Sequence, residues 1–274
     1  MSSVTLSAGV RQNLLSLENI SRQLTTTQEA LATGKKVNSA LDNATEYFTS
    51  QQLDTRASAL SSLLDGITNG VNTIQAANNG ITAITKLVES AQSIVTQAQQ
   101  SSDPTTYASL GTQYNNLLTQ IDQLAQDSSF NGVNLLNGNS LTLTLDEKAS
   151  SPSTLTIAAT TATSSGLSLS DVTWTTASTA TDFAAAATAL SSSLTTLQSD
   201  SSTLSSNLQT IQIRSDFTNA MINTLQTGSG DLVNANSNQE GANLLALQTQ
   251  QSLSTTALSL SAQSDRNVLK LFGG

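Results

Sequence analysis

The chain has 274 residues, a net charge of −9, 37% hydrophobic and only 11% charged residues, and neither Cys nor His. Those absences remove thiol nucleophiles, Cys or His zinc sites, His general bases and Ser-His-Asp triads; the acidic balance, with ten dispersed Lys and Arg, argues against nucleic-acid binding. Ser, Thr, Asn, Gln and Ala make up the difference, which suits polar, uncharged faces that meet copies of themselves, because packing many identical charged faces together is costly.

Val10, Leu17, Leu24 and Leu31 recur every seven residues, with Leu14 and Ile20 alongside. This spacing predicts a first helix over about Val4–Thr33. Gly34 supplies a C-terminal stop with positive φ, and Lys35 and Lys36 meet the helix dipole favourably. The stretch from Val37 to Ala44 reads as an ordered connector, in which Asp42 or Asn43 caps the next helix. Gly34-Lys35-Lys36 is not a phosphate loop: Glu29 stands where the leading glycine belongs, and Lys36 where Ser or Thr is required. Met1–Arg22 lacks the basic start and continuous apolar core of a cleaved signal peptide. No run is apolar enough to span a membrane, so no membrane insertion is expected.

A long helix follows. Leu53, Leu60, Ile67, Ile74, Ile81, Val88 and Val95 repeat in sevens. Beside them run Ala57, Leu64, Val71, Ala77, Ile84, Ala91 and Ala98, so both rows share one face at 3.6 residues per turn. No proline interrupts Ala44–Gln99, and Gly66, Gly70 and Gly80 each cost about 1 kcal/mol against alanine. A rod of this length, roughly 80 Å, needs partner helices. Ser101–Pro104 breaks it, and Leu110, Tyr114, Leu117, Ile121 and Leu124 predict a shorter helix folding back as a hairpin. Phe130–Val133 and Asn137-Gly138 carry turn chemistry. Leu141–Leu145 and Leu155–Ile157 alternate apolar and polar residues, which predicts a β-hairpin through Pro152. Thr160–Thr181 has no assignable element beyond irregular or weakly extended chain. The Ser/Thr-rich stretch Ser150–Thr181 is expected to face solvent, as a plain polar surface or a site of O-linked glycans.

Phe183, Leu190, Leu197, Leu204, Ile211 and Leu225 form the seam of a fourth helix, with only Thr218 polar in the row. Ala187, Leu194, Leu208 and Ile222 accompany it, interrupted by Ser201 and Ser215. Gly228-Ser229-Gly230 is expected to end this helix. The last helix, about Asp231–Phe272, carries Ala242, Ala246, Leu253, Ala257, Leu260, Val268 and Leu271 in one row. Leu244, Leu247, Leu258 and Leu269 cannot all share that face, and a helix apolar on several faces must be buried on several faces. One partner helix cannot cover them, which points to polymerisation. The fold class is mainly α: an elongated antiparallel helical bundle or coiled coil of N- and C-terminal halves, with a small β-hairpin region at the middle of the chain. The expected divisions are 1–44, 45–181, 182–230 and 231–274.

Three stretches resemble bacterial flagellin, the subunit of the flagellar filament. They are the connector Leu31–Asn43, the turn Phe130-Asn131-Gly132-Val133-Asn134-Leu135-Leu136, and the C-terminal run from Leu245 to Leu260 that closes on Val268–Phe272. The similarity covers about residues 1–146 and 182–274, and the C-terminal wording is most like short alphaproteobacterial flagellins. The resemblance implies a structural, self-assembling subunit with no catalytic residue, no cofactor and no metal. It implies terminal helices that form an inner tube, the interface residues being Val10, Leu14, Leu17, Leu24, Leu31, Leu244, Leu247, Leu253, Leu258, Leu260, Val268 and Leu271. The implied partners are other flagellin subunits, hook-associated junction and cap proteins, a cytosolic export chaperone on the C-terminal helix, and the flagellar type III export apparatus. The implied location is the extracellular flagellum, reached without signal cleavage. Positions aligned with those by which enteric flagellins engage the vertebrate Toll-like receptor are Thr85, Lys86, Ser90 and Gln120, a departure that implies poor activation. A hook–filament junction protein is the nearest alternative reading. An enzyme carried on the same scaffold is disfavoured by the short middle and the lack of His, and a surface adhesin would rest on residues 147–181.

Overall fold

The computed structural model describes residues 8–148 and 150–272, with side chains described up to residue 267. The elements are α1 (Ala8–Thr33), α2 (Ala44–Gln100), a 3-10 turn (Pro104–Thr106), α3 (Tyr107–Asp127), β1 (Leu141–Thr144), β2 (Thr154–Ile157), α4 (Ala180–Val233) and α5 (Ser237–Phe272). The chain divides into two compact units, residues 56–223 and residues 1–55 with 224–274.

In the 56–223 unit the heptad rows of α2 become core. Ile67, Ile74, Ile81, Val88 and Val95 are buried, and so are Ala77, Ile84, Ala91 and Ala98. Opposite them α4 buries Leu190, Leu197, Leu204 and Ile211, and Thr218 continues the same row inside. The expected fold-back helix is α3. Its core face is Tyr114, Leu118, Ile121 and Ala125, whereas Leu110, Leu117 and Leu124 are half-buried at its flank. The helix is therefore turned by about one position from the expected stripe, because Leu117 and Leu118 are adjacent leucines and periodicity alone does not choose between them.

Asp103 accepts from Thr105 N at 2.9 Å and opens the turn that Pro104 begins. Asn131 and Gly132 both have positive φ between the bridged Phe130 and Val133, the backbone a tight reverse turn demands. The hairpin is antiparallel, with Leu141 opposite Ile157 and Leu143 opposite Leu155. Asp146 closes its loop by accepting from Ser153 N at 2.9 Å.

The stretch from Ser150 to Thr181 does not simply face solvent. Leu167, Leu169 and Trp174 are buried, and Trp174 lies 5.6 Å from Tyr114 and 5.1 Å from Phe183, centroid to centroid. Asn115 pins this stretch by donating to Val172 O and accepting from Val172 N, both at 2.9 Å. Asp122 accepts from Ser164 N at 2.7 Å. Around these anchors Ser165, Ser168, Ser170, Thr173, Thr175 and Thr176 remain exposed.

In the other unit α1 packs on α5. Asn13 Nδ2 donates to Ser261 Oγ at 3.2 Å, while Ala235 N near the start of α5 donates to Gly34 O at 2.9 Å just past the end of α1, so the two helices run antiparallel. The expected end of the fourth helix at Gly228-Ser229-Gly230 is corrected: α4 continues to Val233, and Asp231 belongs to it rather than to the last helix. The reason is packing. Ser229 is buried with its hydroxyl 3.0 Å from that of Ser50, and this contact between α4 and α2 keeps the stretch helical. A Cβ added at Gly228 would meet Leu53 at an ordinary 3.7 Å.

Glycines inside α2 divide by the same logic. A Cβ on Gly80 would fall 2.1 Å from Ser128 Oγ and 2.7 Å from Leu136 Cδ1, whereas one on Gly66 meets nothing within 4 Å. Gly66→Ala is expected to raise stability by about 0.5–1 kcal/mol through helix propensity alone. Gly80→Ala is expected to lose about 1–3 kcal/mol by overpacking despite the same propensity gain. Urea midpoints followed by circular dichroism check both, and equal shifts for the two variants refute the packing argument.

Candidate assembly surface

The surface is built from α1, α5 and the two connectors beside them. Gly34 has φ +69°, the left-handed stop expected of it. The connector then pairs with the other end of the chain: Lys36 N donates to Val233 O at 2.8 Å, and Lys35 bridges Asn234. Carbonyls at the end of α4, which a helix leaves unpaired, are thus satisfied by the chain leaving α1. Asp42 and Asn43 both act, in different places. Asn43 Oδ1 accepts from Glu46 N at 3.2 Å and caps α2. Asp42 Oδ2 accepts from Asn38 N and Ser39 N, each at 2.9 Å, and holds the connector. Asn236 caps α5 by accepting from Asn238 N at 3.1 Å.

Along α1 the covered positions include the row Val10, Asn13, Leu17, Ile20, Leu24, Thr27 and Leu31, with buried Ala30 beside it. Along α5 they include the row Leu244, Leu247, Gln251, Ser254, Leu258, Ser261 and Asp265, with Glu240, Gly241 and Ala262 beside it. Both rows step by three and four alternately, the spacing of a two-helix seam. Of the expected interface residues, Val10, Leu17, Leu24, Leu31, Leu244, Leu247 and Leu258 are therefore spent, wholly or half, on the pairing of α1 with α5. The side chains of Val268 and Leu271 lie outside the described residues.

Leu253 and Leu260 are placed differently. With Leu245 they are 66–69% exposed, and at about 100° per residue they lie roughly 120–160° around α5 from the covered seam. Leu14 and Leu15 of α1 are exposed as well. Leu15 and Leu245 fall in no seven-residue row, so periodicity gave neither of them a face. The seam that α5 gives to α1 is half polar, through Gln251, Ser254, Ser261 and Asp265, while three leucines point away from it.

Charges contribute little here. Among the described residues the ion pairs are Arg22 with Glu18 at 3.3 Å, exposed on α1, and Arg56 with Glu147 in the 56–223 unit. Arg56 thus has its acidic partner within the chain. Among the described residues no His, Cys, Asp or Glu cluster is spaced to hold a metal, and no helix is long and apolar enough to cross a membrane. Thr85 is half-buried with its hydroxyl donating to Ile81 O, while Lys86, Ser90 and Gln120 are exposed.

Two relatives settle the family. The chain is 32% identical over 273 residues to flagellin FljK of Caulobacter vibrioides, covering 99% of both chains. It is 30% identical to flagellin FljN of the same organism at the same coverage. The chain belongs to the bacterial flagellin family. Residues 7–141 match the family description "Bacterial flagellin N-terminal helical region". The crystal structure of Bacillus cereus flagellin aligns with 55% of this chain and 86% of its own, at a TM-score of 0.47 and 18% identity. The protein is accordingly a structural subunit of the flagellar filament and not an enzyme; it polymerises with other flagellin subunits, and its place is the extracellular flagellum.

The connector carries a pH-dependent element. Backbone N–H groups of Ser39 and Asn38 hold the Asp42 carboxyl below its ordinary 3.8. A carboxylate whose native value is lowered stabilises the fold above the unfolded value, and that contribution is lost as pH falls through the native one. Asp42→Asn is expected to lower the urea midpoint at neutral pH, with the gap to the unaltered chain closing in acid below 3.8. A gap that stays constant with pH refutes the role assigned to the charge.

Proposed function

We propose that flagellin subunits of this type meet through the apolar row Leu245, Leu253 and Leu260 of α5 together with Leu14 and Leu15 of α1. What supports this is the exposure of those leucines on helices already paired with each other. Fully burying a leucine contributes roughly 1.5–3 kcal/mol, so three on α5 alone supply several kcal/mol per subunit in a contact repeated along the polymer. The terminal helices then line the inner tube, and the filament transmits torque as a rigid propeller. Before assembly the same leucines are what a cytosolic chaperone covers. Export proceeds unfolded through the flagellar type III apparatus, without signal cleavage. Junction and cap proteins meet the filament ends. Any O-linked glycan falls on the exposed hydroxyls between Ser150 and Thr181, not on Ser164, whose hydroxyl donates to Asp122.

Seeded polymerisation of purified monomer tests the interface. The unaltered chain is expected to grow long, uniform filaments on seeds. The variant Leu253→Ser/Leu260→Ser is expected to keep its helicity while its critical concentration rises more than tenfold, each tenfold being about 1.4 kcal/mol. Elongation of that variant at the unaltered threshold sinks the proposed surface.

A further inference from the structure

A concave pocket of about 450 Å³ lies within the 56–223 unit, where α3, the 168–178 stretch and the first turns of α4 meet. Its α4 wall is Asp182, Ala185, Ala186 and Ala189, which share one face because they step by three, one and three. The alanines make an apolar floor without filling the space. The facing wall is held in place from below: Asn115 bonds both backbone groups of Val172, and Thr175 N donates to Ser178 Oγ at 3.0 Å.

Three polar groups of this pocket have capacity that the fold does not use. Tyr114 is only 1% exposed, lines the pocket, and its hydroxyl has no hydrogen-bond partner among the described residues. Burial pushes this phenol above its ordinary 10.0, and the Asp171 carboxylate pushes it the same way, so the two groups are neighbours. Asp171 is exposed and forms no ion pair among the described residues. Asp182 accepts from Thr179 N and Thr179 Oγ1 through Oδ2 alone, which leaves Oδ1 available.

Among the described lining residues there is no Lys or Arg, so the pocket repels anions and its two carboxylates lack a counter-charge. A hard metal ion would draw in about six to eight oxygens at close range, and no cluster of the described residues is spaced for one. An ammonium on an alkyl stem fits better. It donates to carboxylates and to a phenol oxygen, and its methylenes rest on small apolar side chains. We propose that this pocket binds an aliphatic polyamine, with one ammonium on Asp171 and the Tyr114 oxygen, the alkyl chain over the alanines, and a second ammonium on Asp182. Among the described residues none of α1 or α5 lines it, so the inference does not use the α5 leucines and is read on the monomer.

Trp174 is the chain's one tryptophan and lines the pocket, so its fluorescence reports occupancy. Labelled spermidine is dialysed to equilibrium against the full-length monomer, with ionic strength held constant by sodium chloride. Uptake is expected to saturate at one spermidine per chain, and Trp174 emission is expected to follow the same curve. Asp171→Asn is expected to weaken binding more than tenfold. Tyr114→Phe, which keeps the ring, is expected to weaken it about threefold to tenfold, the worth of one hydrogen bond. Asp54→Asn removes an exposed carboxylate of α2 outside the pocket and is expected to leave binding unchanged. Butylamine, with a single ammonium, is expected to bind at least tenfold more weakly than spermidine. Circular dichroism confirms that each variant is folded. Uptake that fails to saturate overturns the proposal, as does equal loss in Asp54→Asn and Asp171→Asn, which would mean diffuse attraction to a chain of charge −9. Neither result bears on filament growth, which the Leu253 and Leu260 variant tests separately.

Discussion

A helix packed on one neighbour buries one stripe of its circumference. Most of this flagellin follows from how many neighbours each helix has. In the 56–223 unit α2 meets α3, α4 and the hairpin region, and Ile74, Ile84, Val88, Ala91 and Val95 disappear from solvent altogether. In the other unit α1 and α5 have chiefly each other. The same seven-residue grammar then gives a finished core in one place and an unfinished one in the other. The incompleteness is concentrated on α5, whose seam toward α1 includes Gln251, Ser254 and Ser261 while Leu245, Leu253 and Leu260 remain outside.

The composition serves the same end. A polymer repeats every surface group against its copies, and charges repeated at close range are costly to desolvate. Here hydroxyls replace them, and many turn inward on their own helix: Thr55 to Gln51 O, Thr68 to Leu64 O, Thr82 to Asn78 O, Thr188 to Ala184 O and Thr203 to Ser199 O, all within 3.0 Å. Such back-bonding occupies the hydroxyl hydrogen and leaves the methyl free for packing. The helix surface becomes polar enough for water and cheap enough to bury.

How much of this was legible depended on whether one face or several were in question. The seams of α2 and α4 were readable because a strict seven-residue row admits one inner face, down to Thr218 lying in the row and being buried with it. The family was readable too, from the connector, the Phe130–Leu136 turn and the C-terminal helix. Adjacent leucines defeated periodicity at Leu117 and Leu118. The apolar residues of α5 could be listed from sequence, but which of its rows faces α1 depends on the partner. Gly228 and Gly230 read as a stop since glycine usually ends helices, whereas the hydroxyl contact of Ser229 with Ser50 carries α4 on to Val233. Trp174 went unplaced because a lone aromatic in a Ser/Thr run has no period, and because one of its partners, Tyr114, is far away in sequence.

A single apolar row does not by itself specify a tube. One heterologous contact repeated along one direction yields a single strand, and a closed wall needs a second contact in another direction. The α5 leucines and the exposed pair Ile213 and Phe217 of α4 belong to different units of the chain, and they differ in kind. The first is a stripe of interchangeable leucines, tolerant of small slides along the helix. The second is a compact pair flanked by a cation, Arg214, whose guanidinium lies over the Phe217 ring, so a surface that covers it must match one position.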